Sequence, residues 1–146
     1  MIEIVSMNEN NYRLVAEISR KNLNEGWSEK TLFNQLENPN DHTFLAFYDG
    51  FPAGFLSLWI IAGEGEINNI AVEREFRKKG IASALMQKML ENFSDVKKYY
   101  LEVRKSNENA IKLYKKFGFD FCGERKNFYS NPTENALLMC YSTSEI

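Results

Sequence analysis

Cysteine and histidine, the residues from which disulfide scaffolds and many metal sites are built, are scarce in this sequence. Two cysteines and one histidine occur among its 146 residues. Cys122 and Cys140 show neither a CxxC motif nor the Cys/His spacing of a metal site, and a secreted disulfide scaffold carries more cysteines. His42 has no Ser, Cys or carboxylate at the spacing of a catalytic triad, so a surface or capping role is expected. We therefore predict no metal, and two reduced thiols in a cytoplasmic protein.

Long apolar runs and an excess of basic residues are also missing. The most apolar stretch, Ala53 to Ala62, has about half of the roughly 20 residues that a membrane-spanning helix requires. The segment from Met1 to Met7 contains an acid and lacks the apolar run of a signal peptide. The net charge is -2, whereas proteins whose main partner is a nucleic acid usually carry a basic excess. The sequence thus predicts neither a membrane nor a nucleic-acid partner.

Breaks between domains are absent as well. The chain has only three prolines, Pro39, Pro52 and Pro132, and no internal repeat or Pro/Gly/Ser-rich linker. Because 44% of its residues are hydrophobic, a chain of this length can enclose one core without disulfides or metal. We expect a single domain over residues 1–146.

Hydrophobic periodicity predicts an α/β fold in the order β-α-α-β-β-β-α-β-α-β-β, with helices on both faces of a mixed sheet. Asp49-Gly50 is a strong hairpin signal, and Gly118 is a C-terminal helix cap. Helices are predicted at Asn10 to Asn22, from the N-cap Ser28 to Asn38, at Lys79 to Phe93 and at Asn107 to Phe117. Strands are predicted at Ile2 to Val5, Thr43 to Tyr48, Ala53 to Ile61, Glu66 to Val72, Tyr99 to Val103, Phe119 to Glu124 and Ala136 to Tyr141.

The most informative segment joins the strand that ends at Val72 to the helix that begins near Lys79. At a helix start, several backbone N–H groups lack an intrahelical partner and the helix dipole adds partial positive charge, so anions bind there. Gly80 permits close approach, and the small residues after it keep the first turn narrow. A diphosphate would fit this turn; the alternative is a solvated basic turn. The candidate residues are Arg77, Lys78, Lys79, Gly80, Ile81, Ala82 and Ser83.

Two separated blocks resemble the GNAT acetyltransferase superfamily. The pattern Arg77-x-x-Gly80-x-Ala82 is similar to that family's pyrophosphate loop, (Arg/Gln)-x-x-Gly-x-(Gly/Ala). It lacks the Gly-Lys-Ser/Thr ending of a P-loop and the several glycines of the dinucleotide fingerprint. Further along, the segment from Leu101 to Phe119 resembles the GNAT block that runs from the fifth strand through the fourth helix. The resemblance implies a GNAT fold, and acetyl-CoA as the co-substrate bound by the basic turn.

Three stretches resemble the RimI family, which acetylates the N-terminal alanine of a small-subunit ribosomal protein. They are Leu-Glu-Val-Arg-x-Ser-Asn at 101–107, Leu-Tyr-x-x-x-Gly-Phe at 113–119 and Arg-Lys-Asn-Phe-Tyr at 125–129. The chain departs from that family at Asn135, where an acidic residue is frequent, and at Gly26, where proline is frequent. The expected acceptor is the N-terminus of a ribosomal protein. A small-molecule amine or lysine acceptor, and a non-catalytic acetyl-CoA-binding module, are the alternatives.

The resemblance implies catalytic roles for Glu102 and Tyr114. Alternation along the fifth strand directs Glu102 away from the face of Leu101 and Val103, so its carboxylate can meet a substrate. By resemblance Glu102 is the general base, acting through water; the alternative is an ion pair with Arg104 or a lysine. Tyr114 stands at the position of the family's general acid, and the alternative is an aromatic ring that packs on the sheet.

The resemblance also implies further binding residues. Asn107 matches a residue that contacts the coenzyme, and the same asparagine is a good helix N-cap. The backbone of Ile70, Ala71 and Val72 is expected to bind the acetyl and pantetheine groups, because GNAT enzymes splay a strand edge there and leave N–H groups free. Aromatic side chains are candidates for the acceptor groove, namely Trp27, Phe128 and Tyr129.

Overall fold

The predicted order of elements is confirmed by the computed structural model, which describes residues 1–23 and 26–142. A short 3-10 turn, Arg74–Phe76, is the one addition within these ranges. The helices are α1 (Tyr12–Asn22), α2 (Glu29–Gln35), α3 (Ile81–Asn92) and α4 (Glu108–Lys116). The strands are β1 (Ile2–Ser6), β2 (Asp41–Tyr48), β3 (Phe51–Ile61), β4 (Glu64–Val72), β5 (Lys98–Arg104), β6 (Asp120–Tyr129) and β7 (Glu134–Ser142).

The strands form one mixed sheet in the order β1-β2-β3-β4-β5-β7-β6. The hairpin between β2 and β3 turns at Asp49 and Gly50, whose φ angles of 49° and 86° are both positive, as a two-residue hairpin turn requires. Only the pair β4–β5 is parallel among the described strands. That pair is parallel because α3 provides the crossover that two parallel strands need.

The parallel pair separates halfway along its length. Strands β4 and β5 are paired from Glu64 with Lys98 to Ile67 with Leu101. On the other edge of β4, the register with β3 shifts at Asn68, which is the signature of a β-bulge that bends one strand away from its neighbour. A V-shaped opening therefore lies between the ends of β4 and β5, just before the chain enters α3 and α4.

Helices cover both faces of the sheet, as predicted. Leu85 of α3 and Val15 of α1 are both fully buried, on opposite faces. Burying such a side chain contributes roughly 1.5–3 kcal/mol. Among the described residues, no helix combines the length and apolar character needed to cross a membrane, and no cluster of three or more His, Cys, Asp or Glu side chains could hold a metal ion.

The predicted helix caps are present. The Ser28 hydroxyl accepts a hydrogen bond of 3.1 Å from the Thr31 amide at the start of α2. The Asn107 side chain accepts one of 3.2 Å from the Ala110 amide at the start of α4. Both side chains satisfy an amide that has no partner within the first helical turn.

The prediction of two reduced thiols is wrong in this structure, because Cys122 and Cys140 form a disulfide with their Cα atoms 6.1 Å apart. Antiparallel pairing of β6 with β7 places Asp120 opposite Cys140, and the register then shifts before Gly123. That shift brings Cys122 beside Cys140. The spacing of cysteines in the sequence does not contain this information, since the register between two strands creates the contact.

We expect reduction of the disulfide to lower the free energy of unfolding by about 3 kcal/mol, the loop-closure value for a loop of this size. The two cysteines are 18 residues apart. Urea denaturation with and without reductant measures the difference, and the Cys122→Ser/Cys140→Ser double variant should not respond to reductant. Equal unfolding free energies in both conditions, together with two titratable thiols in the native protein, would contradict the bond.

Candidate active site

The turn before α3 presents an open helix start, as the sequence predicts. Gly80 has a φ of 84°, and no heavy atom lies within 4 Å of the place that a Cβ would occupy. The helical bonding pattern begins with a 3.0 Å hydrogen bond from the Ala84 amide to the Gly80 carbonyl. The amides of Ile81, Ala82 and Ser83 therefore precede this pattern and point out of the helix start, where an anion can accept their hydrogen bonds.

The basic side chains of this turn divide into two groups. Arg77 holds the loop together, because its Nε donates to the Val72 carbonyl at 3.0 Å and its Nη2 donates to Asn22 Oδ1 at 3.1 Å. Lys78 and Lys79 stay on the surface of the turn, and the Lys79 ammonium lies 5.4 Å from the Tyr48 ring centroid. Arg77 is thus a positioning residue, whereas the two lysines can add positive potential for an anion.

A buried acidic residue connects this loop to α1. Glu73 directly follows β4. Its carboxylate accepts a hydrogen bond of 3.0 Å from Lys21 Nζ and one of 2.5 Å from Asn22 Nδ2. The hydrogen bond to Glu73, followed by its negative charge, raises the pKa of Lys21. The same Asn22 side chain also accepts from Arg77. Sequence reasoning missed this network because its members are about fifty positions apart and have no shared motif.

The open edge of β4 exposes two of the three backbone positions predicted to bind the acetyl group. The Glu73 amide donates to the Ala53 carbonyl of β3 at 2.8 Å. Because successive residues of a strand face opposite edges, Val72 and Ile70 then direct their backbone groups toward β5, which is not paired with them. Alternation assigns the third predicted residue, Ala71, to the ladder with β3, so its N–H faces away from the opening.

Glu102 lies on β5 just beyond the last residue pair with β4. The predicted alternation is confirmed: Leu101 and Val103 are buried, and Glu102 is partly exposed on the opposite face. Its Oε2 lies 3.2 Å from Arg125 Nε, yet this oxygen is enclosed and accepts no hydrogen bond from the described residues. A carboxylate with an unused acceptor can take a proton from a neighbouring donor.

The alternative prediction for Glu102 was an ion pair with Arg104 or a lysine. In the structure, Arg104 pairs with a different carboxylate. Arg104 pairs with Glu134 at 3.3 Å and donates to the backbone carbonyls of Ser130 and Pro132, both at 2.9 Å. Its guanidinium also lies 4.6 Å from the Tyr129 ring centroid. Arg104 therefore anchors the turn between β6 and β7 and leaves Glu102 to Arg125.

Tyr114 is a buried phenol of α4, with 6% of its surface exposed. It packs on Phe119 with ring centroids 5.9 Å apart, so the packing role weighed as an alternative is present. Burial, followed by the charge of Tyr129, raises the pKa of Tyr114 well above its usual range. Such a group keeps its proton at neutral pH, so its hydroxyl can donate a hydrogen bond or a proton.

Tyr129 links the two predicted catalytic residues. Burial is the main cause that raises the pKa of Tyr129, and the charge of Glu102 acts in the same direction. Tyr129 in turn raises the pKa of Tyr114. Glu102 of β5, Tyr114 of α4 and Tyr129 of β6 are therefore close enough for their charges to interact. The sequence placed Tyr129 only in the acceptor groove, because nothing in a linear pattern shows that β6 lies beside these groups.

Tyr129 also lines an aromatic cleft of about 650 Å³. All three aromatic residues predicted for the acceptor groove line it. Its other walls come from α1, the segment before α2, strands β4, β5 and β6, and the start of α4. The Phe128 and Tyr129 rings meet edge to face at 5.1 Å. The lining side chains include Asn22, Trp27, Asn69, Arg104, Asn107, Phe128 and Tyr129.

Gly26, one of the departures from the RimI pattern, holds Trp27 against α1. A Cβ at Gly26 would lie 2.7 Å from the Ser19 carbonyl oxygen and 2.8 Å from Arg20 Cα, so a side chain there cannot fit without movement. The Trp27 amide donates to the Ser19 hydroxyl at 2.7 Å. Glycine is therefore required by close packing, and this packing positions one wall of the cleft.

Asn135, the second departure, organises the opposite wall. Arg125 and Tyr129 pair with residues on either side of Asn135, so three residues of β6 bulge outward there. The Asn135 side chain accepts from the Asn127 amide at 2.9 Å and donates to Glu124 Oε2 at 2.6 Å. An acidic side chain could accept but could not donate to Glu124. The bulge presents Phe128 and Tyr129 to the cleft.

Comparison with known proteins identifies relatives over most of the chain. The model of the acetyltransferase (GNAT) family matches residues 12–119. A Bacillus subtilis (strain 168) protein, provisionally named a ribosomal protein bS18-alanine N-acetyltransferase, is 35% identical over 134 residues, which cover 90% of this chain and 89% of that protein. The ribosomal protein bS18-alanine N-acetyltransferase of Escherichia coli (strain K12) is 31% identical over 122 residues, with 81% and 82% covered.

The fold agrees with a solved structure. The crystal structure of the ribosomal-protein-S18-alanine N-acetyltransferase from Escherichia coli superimposes with a TM-score of 0.90 at 27% identity, and covers 100% of this chain and 96% of that one. An Ard1 structure from Thermoplasma volcanium gives a TM-score of 0.86 at 26% identity, with 99% of both chains covered.

We expect Asn135→Asp to raise the pKa of Glu124. A hydrogen bond from Asn135 is the main cause that lowers this pKa, and an acid would replace the donor by a like charge. A carboxyl group whose pKa is lower in the folded than in the unfolded state stabilises the fold at pH values above its unfolded-state pKa. This stabilisation is lost as the pH falls through the folded-state pKa. The variant should therefore be destabilised most near neutral pH, and its deficit should shrink in acid.

Carboxyl-carbon NMR titration and urea denaturation across this pH range check the expectation. Glu134 is the internal control, because hydrogen bonds from Ser106 and Arg104 lower its pKa and do not involve the Asn135 carboxamide. The Asn135→Asp/Glu124→Gln double variant should recover stability at neutral pH. An unchanged pKa of Glu124 in the single variant would show that the observed contact is not formed in solution.

Proposed function

This chain belongs to the GNAT acetyltransferase family and is an acetyl-CoA-dependent N-acetyltransferase, and we propose that its acceptor is the N-terminal α-amine of a ribosomal protein that begins with alanine. The observation that carries the proposal is the position of Glu102. Its enclosed Oε2 accepts no hydrogen bond from the described residues, although Arg125 Nε lies 3.2 Å away, and the carboxylate lies beside the unpaired edge of β4. Arg104, two residues away, lines the aromatic cleft. The relatives named above for bS18-alanine acetylation support this choice of acceptor. We assign the whole reaction to the single domain predicted over 1–146.

The turn before α3 would hold the diphosphate of acetyl-CoA. The amides of Ile81, Ala82 and Ser83 donate to its oxygens, and Gly80 leaves the approach free. Lys78 and Lys79 add positive potential, while Arg77 keeps the loop in place through the Val72 carbonyl and Asn22. Asn107 lines the cleft at the start of α4, where it can contact the coenzyme and cap the helix together.

The free strand edge would bind the thioester. Acetyl-CoA supplies an acetyl group bound to sulfur, and the amide of Val72 or Ile70 can donate to the acetyl oxygen as negative charge develops there. Two donors that already point into the opening need little reorganisation during the reaction. Ala71 contributes by keeping the strand registered with β3, since alternation directs its amide away from the opening.

Glu102 and Tyr114 would move the protons. Glu102 takes a proton from the acceptor ammonium through a water molecule, and the neutral amine then attacks the acetyl carbon. The carbon–nitrogen bond forms as the carbon–sulfur bond breaks, and the Tyr114 phenol gives its proton to the departing sulfur. The excess proton on the new amide nitrogen leaves through water and restores the phenol. Tyr114 keeps its proton at neutral pH as an ordinary tyrosine does, and its raised pKa makes it a weaker acid until negative charge develops on the sulfur.

The aromatic cleft would select the acceptor. Trp27, Phe128 and Tyr129 form apolar walls of the cleft, which Arg104, two residues after Glu102, also lines. Both walls depend on residues that differ from the RimI pattern, Gly26 and Asn135. This observation keeps a small-molecule amine or a lysine as the second candidate acceptor, because altered walls can change which amine fits.

The proposed acceptor also implies a location. Ribosomal proteins are made and assembled in the cytoplasm, so we propose that the enzyme acts there. The cytoplasm keeps most thiols reduced, and both redox forms of the Cys122–Cys140 pair are therefore relevant to the working enzyme.

Incubation with acetyl-CoA and peptides that begin with alanine should label the α-amine, as read by mass spectrometry. Peptides with only an internal lysine and a panel of small amines provide the comparison. In the same assay, Glu102→Gln and Tyr114→Phe should each lower kcat by about 10²- to 10⁴-fold, with little change in coenzyme affinity. Tyr141→Phe is the matched control, because Tyr141 also packs on Phe119, at 5.5 Å.

Labelling of lysine alone, or of small amines alone, would overturn the ribosomal acceptor and leave the acetyltransferase intact. Binding of acetyl-CoA with no transfer to any acceptor would instead favour a non-catalytic module. Unchanged turnover of Glu102→Gln would remove this residue from the mechanism.

We expect Gly80→Ala to weaken acetyl-CoA binding by about tenfold. A left-handed φ costs a residue with a Cβ roughly 1–2 kcal/mol, so the free loop would relax and binding would have to restore this conformation. Calorimetric titration with acetyl-CoA measures the change. Gly63→Ala is the control, since Gly63 has a similar φ of 81°, equally open surroundings and a position at the far end of β4. Equal affinities for the two variants would contradict the assigned diphosphate site.

A further inference from the structure

A second cleft lies beyond the C-terminal end of α3, opposite the diphosphate turn. Its volume is about 350 Å³, and it is bounded by the ends of β1, α2 and α3 and by the start of β2. Helix α3 has 12 residues, so its two ends are about 18 Å apart. The second cleft is therefore separate from the acetyl-transfer site.

Two enclosed oxygen atoms on residues that line this cleft accept no hydrogen bond from the described part of the chain. Gln35 Oε1 and Asp41 Oδ1 are both enclosed and accept nothing from the described residues, and both residues line the cleft. Buried acceptors are nearly always paired in folded proteins, because an unpaired one loses its bonds to water without compensation. A ligand that carries N–H donors would satisfy both oxygens at once.

The electrostatic surroundings favour a positive charge on that ligand. Asp41 forms no ion pair with a lysine or arginine among the described residues. The last turn of α3 contains no basic residue, so the negative end of the helix dipole is not compensated there. Both features lower the energy of a cation near Asn92 and Asp41.

His42 does not oppose such a cation. Its partly exposed ring packs 4.8 Å from the Phe93 ring and lines the cleft. Burial lowers the pKa of His42 although Asp41 acts against this change, so the imidazole is neutral at physiological pH. Burial likewise raises the pKa of Asp41, whereas a hydrogen bond from Trp59 to the Asp41 carboxyl group lowers it. A bound cation would favour the ionised carboxylate.

The cleft also has an apolar side. Phe93 lies 5.9 Å from Phe44 between ring centroids, and both rings line the cleft together with Met7 and Leu36. A metal ion would use little of this surface, and the cleft offers only Asp41 and His42 as charged or imidazole ligands. An organic cation with a short hydrocarbon stem fits both the oxygens and the apolar wall.

We propose that this cleft binds a small primary ammonium ion with a short apolar stem, which donates hydrogen bonds to Gln35 Oε1 and Asp41 Oδ1. The site is independent of the acceptor amine at Glu102 and does not require the proposed ribosomal acceptor. Its occupant would join the start of β2 to the ends of α2 and α3.

Titration of the protein with n-propylammonium, followed by backbone amide NMR, tests the site. The amides of His42, Thr43 and Phe93 should shift and saturate in the millimolar range. Tetramethylammonium, which has the charge but no N–H donor, and 1-propanol, which has the stem but no charge, should leave them unshifted. Shifts confined to Asn69 and Arg104 would mean binding in the acceptor cleft alone and would overturn the proposal.

Two variants define the partners. Asp41→Asn and Gln35→Leu should each weaken n-propylammonium binding by about tenfold or more, since each removes an acceptor of a charge-assisted hydrogen bond. Glu37→Gln is the control, because Glu37 is an exposed carboxylate close in sequence that does not line the cleft. Equal weakening by Glu37→Gln, or a tetramethylammonium response equal to that of n-propylammonium, would show that binding depends on net charge and not on the two hydrogen bonds. Either result would overturn the proposed site. If Asp41→Asn does not fold, unchanged affinity of Gln35→Leu alone is sufficient to reject the site.

Discussion

The separation of β4 from β5 after Ile67 and Leu101 is the constraint on which the site depends. A continuous parallel pair would satisfy the backbone groups of Ile70 and Val72 and would leave no space for a thioester. The bulge at Asn68 bends β4 at the point of separation, and α3 and α4 then start on either side of the opening. This irregularity in the strand pairing leaves backbone groups of β4 without a strand partner and opens a space between β4 and β5. The start of α3, which can bind an anion, lies beside this space.

The opening is held in shape by contacts between distant parts of the chain. Asn22 of α1 bonds to both Glu73 and Arg77, so the loop that would bind the diphosphate is tied to a helix that lines the acceptor cleft. Movement of α1 on acceptor binding would therefore be felt at the coenzyme loop. This arrangement provides a physical route between the two substrate sites, through the side chains of Asn22, Arg77 and the buried Glu73.

Both departures from the RimI pattern make specific contacts with neighbouring residues. At Asn135 an amide replaces the frequent acid, and its neighbour Glu124 supplies the negative charge that accepts its hydrogen bond. At Gly26 the missing ring of proline permits contact with the backbone of α1. In both places the aromatic walls of the cleft are still positioned, so the family architecture persists while the local surface differs.

Local patterns in the sequence determined the elements, their order and the family, because turn residues, caps and hydrophobic periodicity act over a few positions. Gly80, the Asp49-Gly50 turn and the Asn107 cap were recognisable for that reason, and the alternation that exposes Glu102 follows from strand geometry alone. Other features depend on which distant segments meet. The Cys122–Cys140 bond, the Arg125 partner of Glu102, the Asn22 network and the unpaired oxygens of Gln35 and Asp41 arise from strand register and helix packing. Only the tertiary structure decided these features, because contacts between residues that are far apart in sequence produce no local sequence pattern from which they could be predicted.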